Sequence, residues 1–125
     1  MSGTPKISDA EWEVMNVVWQ RAPVSSSDIV EALSVRRKWT SRTIRTLMDR
    51  LIRKKAIGPH PDGGRPSLYR ALVSREDCVR RESRSFMERV FGGDSDPMLV
   101  HFVENTRLSA ETIARLRKIL NGRKP

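Results

Sequence analysis

The chain has one cysteine, Cys78, so it closes no disulfide on itself, and a single thiol suits a reducing cytoplasm. Cys78 stands beside Val79 in a helical stretch and reads as a small packed residue. Histidine is nearly as scarce. His60 and His101, with Cys78, are the only soft or borderline metal ligands, and they fall in three separate segments. Transition-metal sites draw their ligands at short, characteristic spacings, so no metal and no cofactor is expected. No apolar run approaches the roughly 18–20 residues of a membrane span, and the opening Met1-Ser2-Gly3-Thr4-Pro5-Lys6 has no signal-peptide apolar core. A glycine-rich phosphate loop is missing too, since Gly63-Gly64 lacks the Gly-Lys-Ser/Thr that such a loop needs. The serines are accounted for by helix caps, and none has a His and an acid at a recognisable spacing. These absences argue against an enzyme.

Acidic residues are scarce in one place. The chain carries 24 Lys+Arg against 15 Asp+Glu, a net charge of +9. Residues 36–55 hold nine of those bases (Arg36, Arg37, Lys38, Arg42, Arg45, Arg50, Arg53, Lys54, Lys55) against Asp49 alone, which leaves about +1 for everything else. A patch of that kind points to a polyanionic partner at one site. Within it, Trp39–Lys55 has helical spacing: Ile44, Leu47, Met48, Leu51 and Ile52 form one apolar stripe at i, i+3, i+4, i+7, i+8. Arg42, Thr43, Arg45 and Thr46 crowd the first turns away from that stripe. Arginine can fork onto guanine O6/N7, and threonine can meet phosphates or a thymine methyl. A solvated basic helix would show the same charge run, so its neighbours matter.

Those neighbours are helices with readable starts. Ser8-Asp9-Ala10-Glu11 is a capping box with Ile7 and Trp12 as its hydrophobic staple. The helix it opens sets Trp12, Met15, Val18 and Trp19 on one face and stops at Arg21-Ala22-Pro23, because Pro23 forbids continuation. Trp12 and Trp19, seven apart, mark a core face and not a base-stacking platform. Ser25 and Asp28 repeat the cap, predicting a short helix through Leu33 with Ile29, Val30 and Leu33 inward. A connection, Ser34–Trp39, follows, and Thr40 caps the basic helix. Trp39 either seals the turn or lies against sugar-phosphate. Three helices with short connections, the third basic, make a helix-turn-helix pattern. Two short antiparallel strands are expected over about 56–60 and 67–72, around the turn formers Pro59-His60-Pro61-Asp62-Gly63-Gly64-Arg65-Pro66. That is a wing, with Arg65 near a DNA backbone, Leu68 or Tyr69 packed underneath, and His60 exposed. The DNA-binding set is then Arg42, Thr43, Arg45 and Thr46 in the major groove, with Thr40, Ser41, Arg50, Lys54 and Arg65 mainly on the backbone.

Beyond Ser74, a cap with Asp77 at its third position, a helix is expected to about Phe91, burying Val79, Phe86, Met87, Val90 and Phe91. Gly92-Gly93 breaks it. Asp96 as cap with Pro97 at the first position opens a second helix, and Leu108-Ser109 opens a third carrying Ile113, Leu116, Ile119 and Leu120. Three short helices enclose little by themselves, so two copies sharing one core is the economical solution. Folding back of these helices on the wing domain of the same chain is the alternative. The expected dimer core is Phe86, Val90, Phe91, Leu99, Phe102, Val103, Ile113, Leu116 and Leu120. The fold class is mostly α with a small two-stranded β wing: a winged helix-turn-helix over residues 1–73 and a three-helix dimerisation domain over 74–125.

Ile7-Ser8-x-Ala10-Glu11-Trp12-Glu13-Val14-Met15, then Trp19, then Trp39-x-x-x-Thr43-Ile44-x-Thr46-Leu47-x-x-Arg50-Leu51-x-x-Lys54-Lys55 closely resemble the BlaI/MecI penicillinase-repressor family. The resemblance continues through Tyr69, Ser85-Phe86, Phe102-Val103-Glu104, Leu108-Ser109 and Leu116-x-x-Ile119-Leu120, essentially the whole chain. It implies a homodimeric repressor of palindromic operators controlling β-lactamase, penicillin-binding-protein or related stress genes. It also implies a sensor–protease pathway that cuts an Asn-Phe bond in the dimerisation domain. The matching bond here is His101-Phe102, without the Asn. Copper-responsive relatives carry a cysteine-rich tail, whereas this chain ends Asn121-Gly122-Arg123-Lys124-Pro125. A basic module that docks a protein or an RNA is the competing reading from another class.

Overall fold

The computed structural model describes residues 3–64 and 66–123. The elements run α1 (Asp9–Arg21), β1 (Val24–Ser25), α2 (Ser26–Arg37), α3 (Ser41–Arg53), β2 (Ile57–Pro59), β3 (Leu68–Ala71), α4 (Arg75–Phe91), α5 (Ser95–Asn105) and α6 (Ala110–Asn121). Contacts divide the chain into two compact units, Met1–Ser83 and Arg84–Pro125. The division falls inside α4, ten residues after the boundary expected at residue 73.

The first unit is a winged helix, and its local chemistry sets each element. The Ser8 hydroxyl accepts from the Glu11 amide at 3.2 Å while the Glu11 carboxylate accepts from the Ser8 amide at 2.8 Å, so α1 starts on a complete capping box. Ser25 and Asp28 do the same for α2. That helix does not end at Leu33. It continues through Arg36 and Arg37 and stops at Lys38, whose φ of 57° is left-handed. The loop before α3 is correspondingly shorter than expected. Thr40 caps α3 by accepting from the Thr43 amide at 3.2 Å.

The C-terminus of α3 closes as a Schellman turn. Lys55 takes φ 62°, its amide donates to Ile52 O at 3.0 Å, and the Ala56 amide donates to Leu51 O at 2.9 Å. This turn aims the chain into β2. The sheet has three strands in the order β1-β3-β2, all antiparallel, with Val24 opposite Tyr69 and Ile57 opposite Ala71. β1, only two residues long, is the strand that alternation of apolar residues does not announce. Its pairing puts the start of α2 beside the wing.

The core lies where α1, α2 and α3 meet this sheet. Val14, Met15, Val18, Ile29, Leu33, Ile44, Leu51 and Ile57 are fully enclosed, with Ile7, Leu47, Met48 and Cys78 beside them. Enclosing a side chain of that size contributes about 1.5–3 kcal/mol each. Trp12 and Trp19 meet edge to face at 5.5 Å, and the Trp19 indole N–H donates to Val73 O at 3.0 Å. Both tryptophans and Trp39 pack against the core, so Trp39 seals the turn ahead of α3. Ile52, expected in the buried stripe, is 37% exposed. In α4 the buried residue is Cys78, while Val79 and Val90 are exposed, against the burial expected for both.

The second unit is the end of α4 with α5 and α6. Here α5 begins two residues earlier than expected: Asp94 is the cap, accepting from the Asp96 amide, and Pro97 sits at the third helical position. The proline is tolerated because first-turn amides have no partner within the helix. Ser109 caps α6 through the Thr112 amide at 3.1 Å. The Phe86 ring lies 6.0 Å from Phe91 and 6.1 Å from Phe102, and His101 lies 6.4 Å from Phe91. Among the described residues of this unit none is buried. Val90, Leu99, Val100, Phe102, Val103, Ile119 and Leu120 are 44–64% exposed.

Candidate nucleic-acid interface

The site is the outer side of α3. Ile44, Leu47, Met48 and Leu51 fix the helix to the core. Because 3.6 residues make a turn, that anchoring leaves Arg42, Arg45, Thr46, Asp49 and Arg53 along the opposite side, at i, i+3, i+4, i+7 and i+11. All five are exposed, as are Thr43 and Arg50 on the flank. Among the described residues the guanidinium groups of Arg42, Arg45 and Arg50 have no ion-pair or hydrogen-bond partner within the chain. The planar fork of each is therefore free for a carboxylate, a phosphate or a base edge. The hydroxyls are more constrained. Thr46 donates to Arg42 O at 2.9 Å, and Thr40 donates to the Thr43 hydroxyl at 3.1 Å.

Two of the nine bases counted in the sequence do not belong to this surface. The Lys54 ammonium donates to the Glu11 carboxylate and, at 2.9 Å, to Lys6 O. The Glu11 side chain is 2% exposed, so this is an internal tie between the start of α1 and the end of α3. Burial pushes the Glu11 carboxyl up, but the hydrogen bonds from Lys54 and Ser8 and the Lys54 charge outweigh it. The group is held below the usual carboxylate range. That engagement leaves the Lys54 ammonium, expected on a DNA backbone, less free than the guanidinium groups of α3. Arg37 is likewise taken, bidentate on Glu13 at 2.8 and 3.2 Å, which raises its pKa. Sequence spacing missed both pairs because the partners stand 24 and 43 residues away. The capping-box Glu11 was legible as a cap, and its second role was not.

A cleft of about 250 Å³ opens beside α3, lined by Ser26, Arg45, Met48, Asp49, Ile52 and Tyr69. Tyr69 is half-buried on β3, packed against the core as expected for the underside of the wing. The wing loop turns through Gly63 and Gly64, both with positive φ. Within it, His60 Nδ1 accepts from the Asp62 amide at 3.3 Å. Arg65, expected at the wing tip, lies outside the described residues.

Elsewhere, burial and then the neighbouring Asp77 charge push the Cys78 thiol up, which disfavours a reactive thiolate. No three of His, Cys, Asp and Glu come together as metal ligands among the described residues. No described helix is long and apolar enough to cross a membrane.

Residues 7–122 match the penicillinase repressor family model. The chain is 36% identical over 124 residues to the penicillinase repressor of Bacillus licheniformis, covering 99% of this chain and 96% of that one. It is 38% identical over 118 residues to the methicillin resistance regulatory protein MecI of Mammaliicoccus sciuri, covering 94% and 95%. The solution structure of the monomeric form of Bacillus licheniformis BlaI in complex with the blaP half-operator superposes with a TM-score of 0.54 at 36% identity. That match covers 62% of this chain and 93% of the other.

Proposed function

Since the chain belongs to the penicillinase repressor family, we propose that it is a DNA-binding transcriptional repressor, not an enzyme, acting in the cytoplasm as a homodimer on a palindromic operator. The observation that carries this reading is the free arginine pair on the outer side of α3. Arg42 and Arg45, with Thr43 and Thr46, stand on the first turns of a helix whose other side is locked in the core. A recognition helix needs that arrangement, because bases are read by side chains from its N-terminal turns. Thr40, Ser41 and Arg50 serve as phosphate contacts beside it.

Two features support the dimer and its palindrome. Among the described residues the second unit leaves Leu99, Phe102, Val103 and Leu120 exposed, and a twofold pair would enclose them. A twofold protein in turn asks for a twofold site, and the BlaI complex pairs one monomer with one half-operator. The regulated genes, by the same family membership, encode a β-lactamase or related cell-wall and stress functions. Release follows from loss of dimerisation. Its weak point is the His101–Phe102 bond inside α5, or another distortion of that unit reached through a sensor–protease pathway.

The test is a mobility-shift assay with the promoter region upstream of the chain's own gene against random duplex of equal length, at one stated salt concentration. Preferential retention of the promoter supports the repressor reading. Equal binding of both, or preference for an RNA or a protein partner, would replace it with the basic docking module.

A further inference from the structure

Asp49 is the one acid on the recognition side of α3. Seven residues are nearly two full turns, so it stands within about 20° of Arg42 around the helix axis. It is one turn beyond Arg45, and both line the cleft that Ser26 and Tyr69 close from the other side. Asp49 is exposed, and among the described residues its side chain has neither an ion pair nor a hydrogen bond within the chain, although Arg42, Arg45, Arg50 and Arg53 surround it in sequence. A carboxylate kept on such a surface is costly against DNA. It accepts hydrogen bonds and cannot donate them, and it repels every phosphate it approaches. In the major groove the groups that can satisfy it are exocyclic amines, foremost the cytosine N4 amino group. Everything else that DNA presents to it there is an acceptor, a methyl or a negative charge.

We propose that Asp49 is a specificity-determining residue, which accepts from an exocyclic amino group of a base, cytosine first, next to the position read by Arg45, and which penalises duplexes lacking an amine there. The inference rests on the DNA-binding reading above. It makes the two residues a discriminating pair: the arginine selects an acceptor edge, the aspartate one turn on selects a donor edge, and a frame-shifted or random sequence meets the carboxylate with the wrong group. Affinity for non-specific DNA is thereby held down by the same residue that sharpens the specific site.

The experiment is selection from a pool of duplexes with a randomised core by the full chain, by Asp49→Asn and by Asp49→Ala, followed by titration of each protein on the selected consensus and on random duplex. The native chain is expected to enrich a consensus with cytosine or adenine fixed at one position per half-site. Asp49→Ala should lose the preference at that position alone. Its ratio of consensus to random affinity should fall about tenfold, partly through tighter binding of random DNA. Asparagine can donate as well as accept, so Asp49→Asn should shift the preference toward other bases rather than abolish it. Melting temperatures should not fall, because among the described residues the Asp49 side chain makes no ion pair or hydrogen bond and alanine is the better helix former. If the native chain enriches no consensus, the DNA-binding reading itself fails. If it does enrich one and both variants enrich the same consensus with an unchanged ratio, Asp49 is a bystander and this inference is wrong.

Discussion

At the scale of single residues, charge alone does not say what a side chain is for. Arg42, Arg45 and Lys54 are all basic residues of one segment, yet among the described residues the arginines have no partner and the lysine is bound to Glu11 and Lys6. Arg42→Ala or Arg45→Ala should cost about 1–3 kcal/mol on the operator and less on random DNA, measured by anisotropy titration on both. Equal losses on the two duplexes would make them phosphate contacts. Lys54 should behave otherwise. Replacing it with Met leaves Glu11 buried without its cation, and a fully buried pair broken this way costs about 3–5 kcal/mol. The partial exposure of Lys54 lowers that to about 1–3 kcal/mol at neutral pH. The native Glu11 carboxyl is depressed, so its contribution is complete above the ordinary carboxylate range and fades as pH falls through the folded value. In the variant only burial and the Ser8 bonds remain, and without the cation the carboxyl rises, so the deficit should shrink as acid protonates Glu11. Urea melts at pH 7 and near pH 4 would show the gap closing. A drop of about 1 in the salt slope of DNA binding for Lys54→Met would show that Lys54 also contacts a phosphate.

At the scale of elements, what the sequence carried was capping and periodicity, both local properties. Ser8, Ser25 and Thr40 all cap the helices expected of them, because a cap needs only residues within three positions. β1 was not legible, since two residues have no period and Val24-Ser25 becomes a strand only when β3 arrives beside it. The extension of α2 to Arg37 was hidden for a related reason: Arg36 and Arg37 look like loop charge, and the Glu13 carboxylate that holds Arg37 is in another helix. Asp96 was expected as the cap of α5 because Pro97 follows it, but Asp94 takes that place and accepts from the Asp96 amide. The end of α3 offers a quantitative check. Lys55 occupies a left-handed position with φ 62° and is exposed. A side chain there costs roughly 1–2 kcal/mol, while glycine adds about 0.5–1 kcal/mol of unfolded-state entropy. Lys55→Gly should therefore stabilise the winged-helix unit by about 0.5–1 kcal/mol, read as a higher urea midpoint at unchanged slope. A destabilised variant would mean that the Lys55 side chain makes a contact that outweighs its backbone cost.

At the scale of the whole molecule, the two units differ in how they satisfy their apolar surface. The first encloses its own core, whereas the second holds Leu120 at 64% and Val103 at 53% exposure. The proposed second copy would cover this surface, and the proposal has a sharp consequence. Leu120→Glu puts a charge where the partner's apolar surface would lie, so sedimentation should show a monomer while the near-ultraviolet signal of the packed Trp12–Trp19 pair is retained. A dimer that survives Leu120→Glu would place the interface elsewhere. Release from DNA follows from the same arithmetic. Each half of a dimer raises the effective concentration of the other half at its own half-site, commonly strengthening binding by 10²–10⁴-fold without any new contact. In the proposed dimer, separating the halves would thus empty the operator without altering either winged helix. The His101–Phe102 bond lies within α5, where the Asn105 side-chain amide donates to His101 O at 2.8 Å. In the proposed scheme a protease would have to unwind that turn to reach the bond, so cutting would follow loosening of the unit. Following the intact chain in its host after β-lactam exposure tests the scheme. Fragments ending at His101 that appear with derepression would establish cleavage at this bond, and derepression with full-length protein persisting would assign release to a ligand or a partner protein instead.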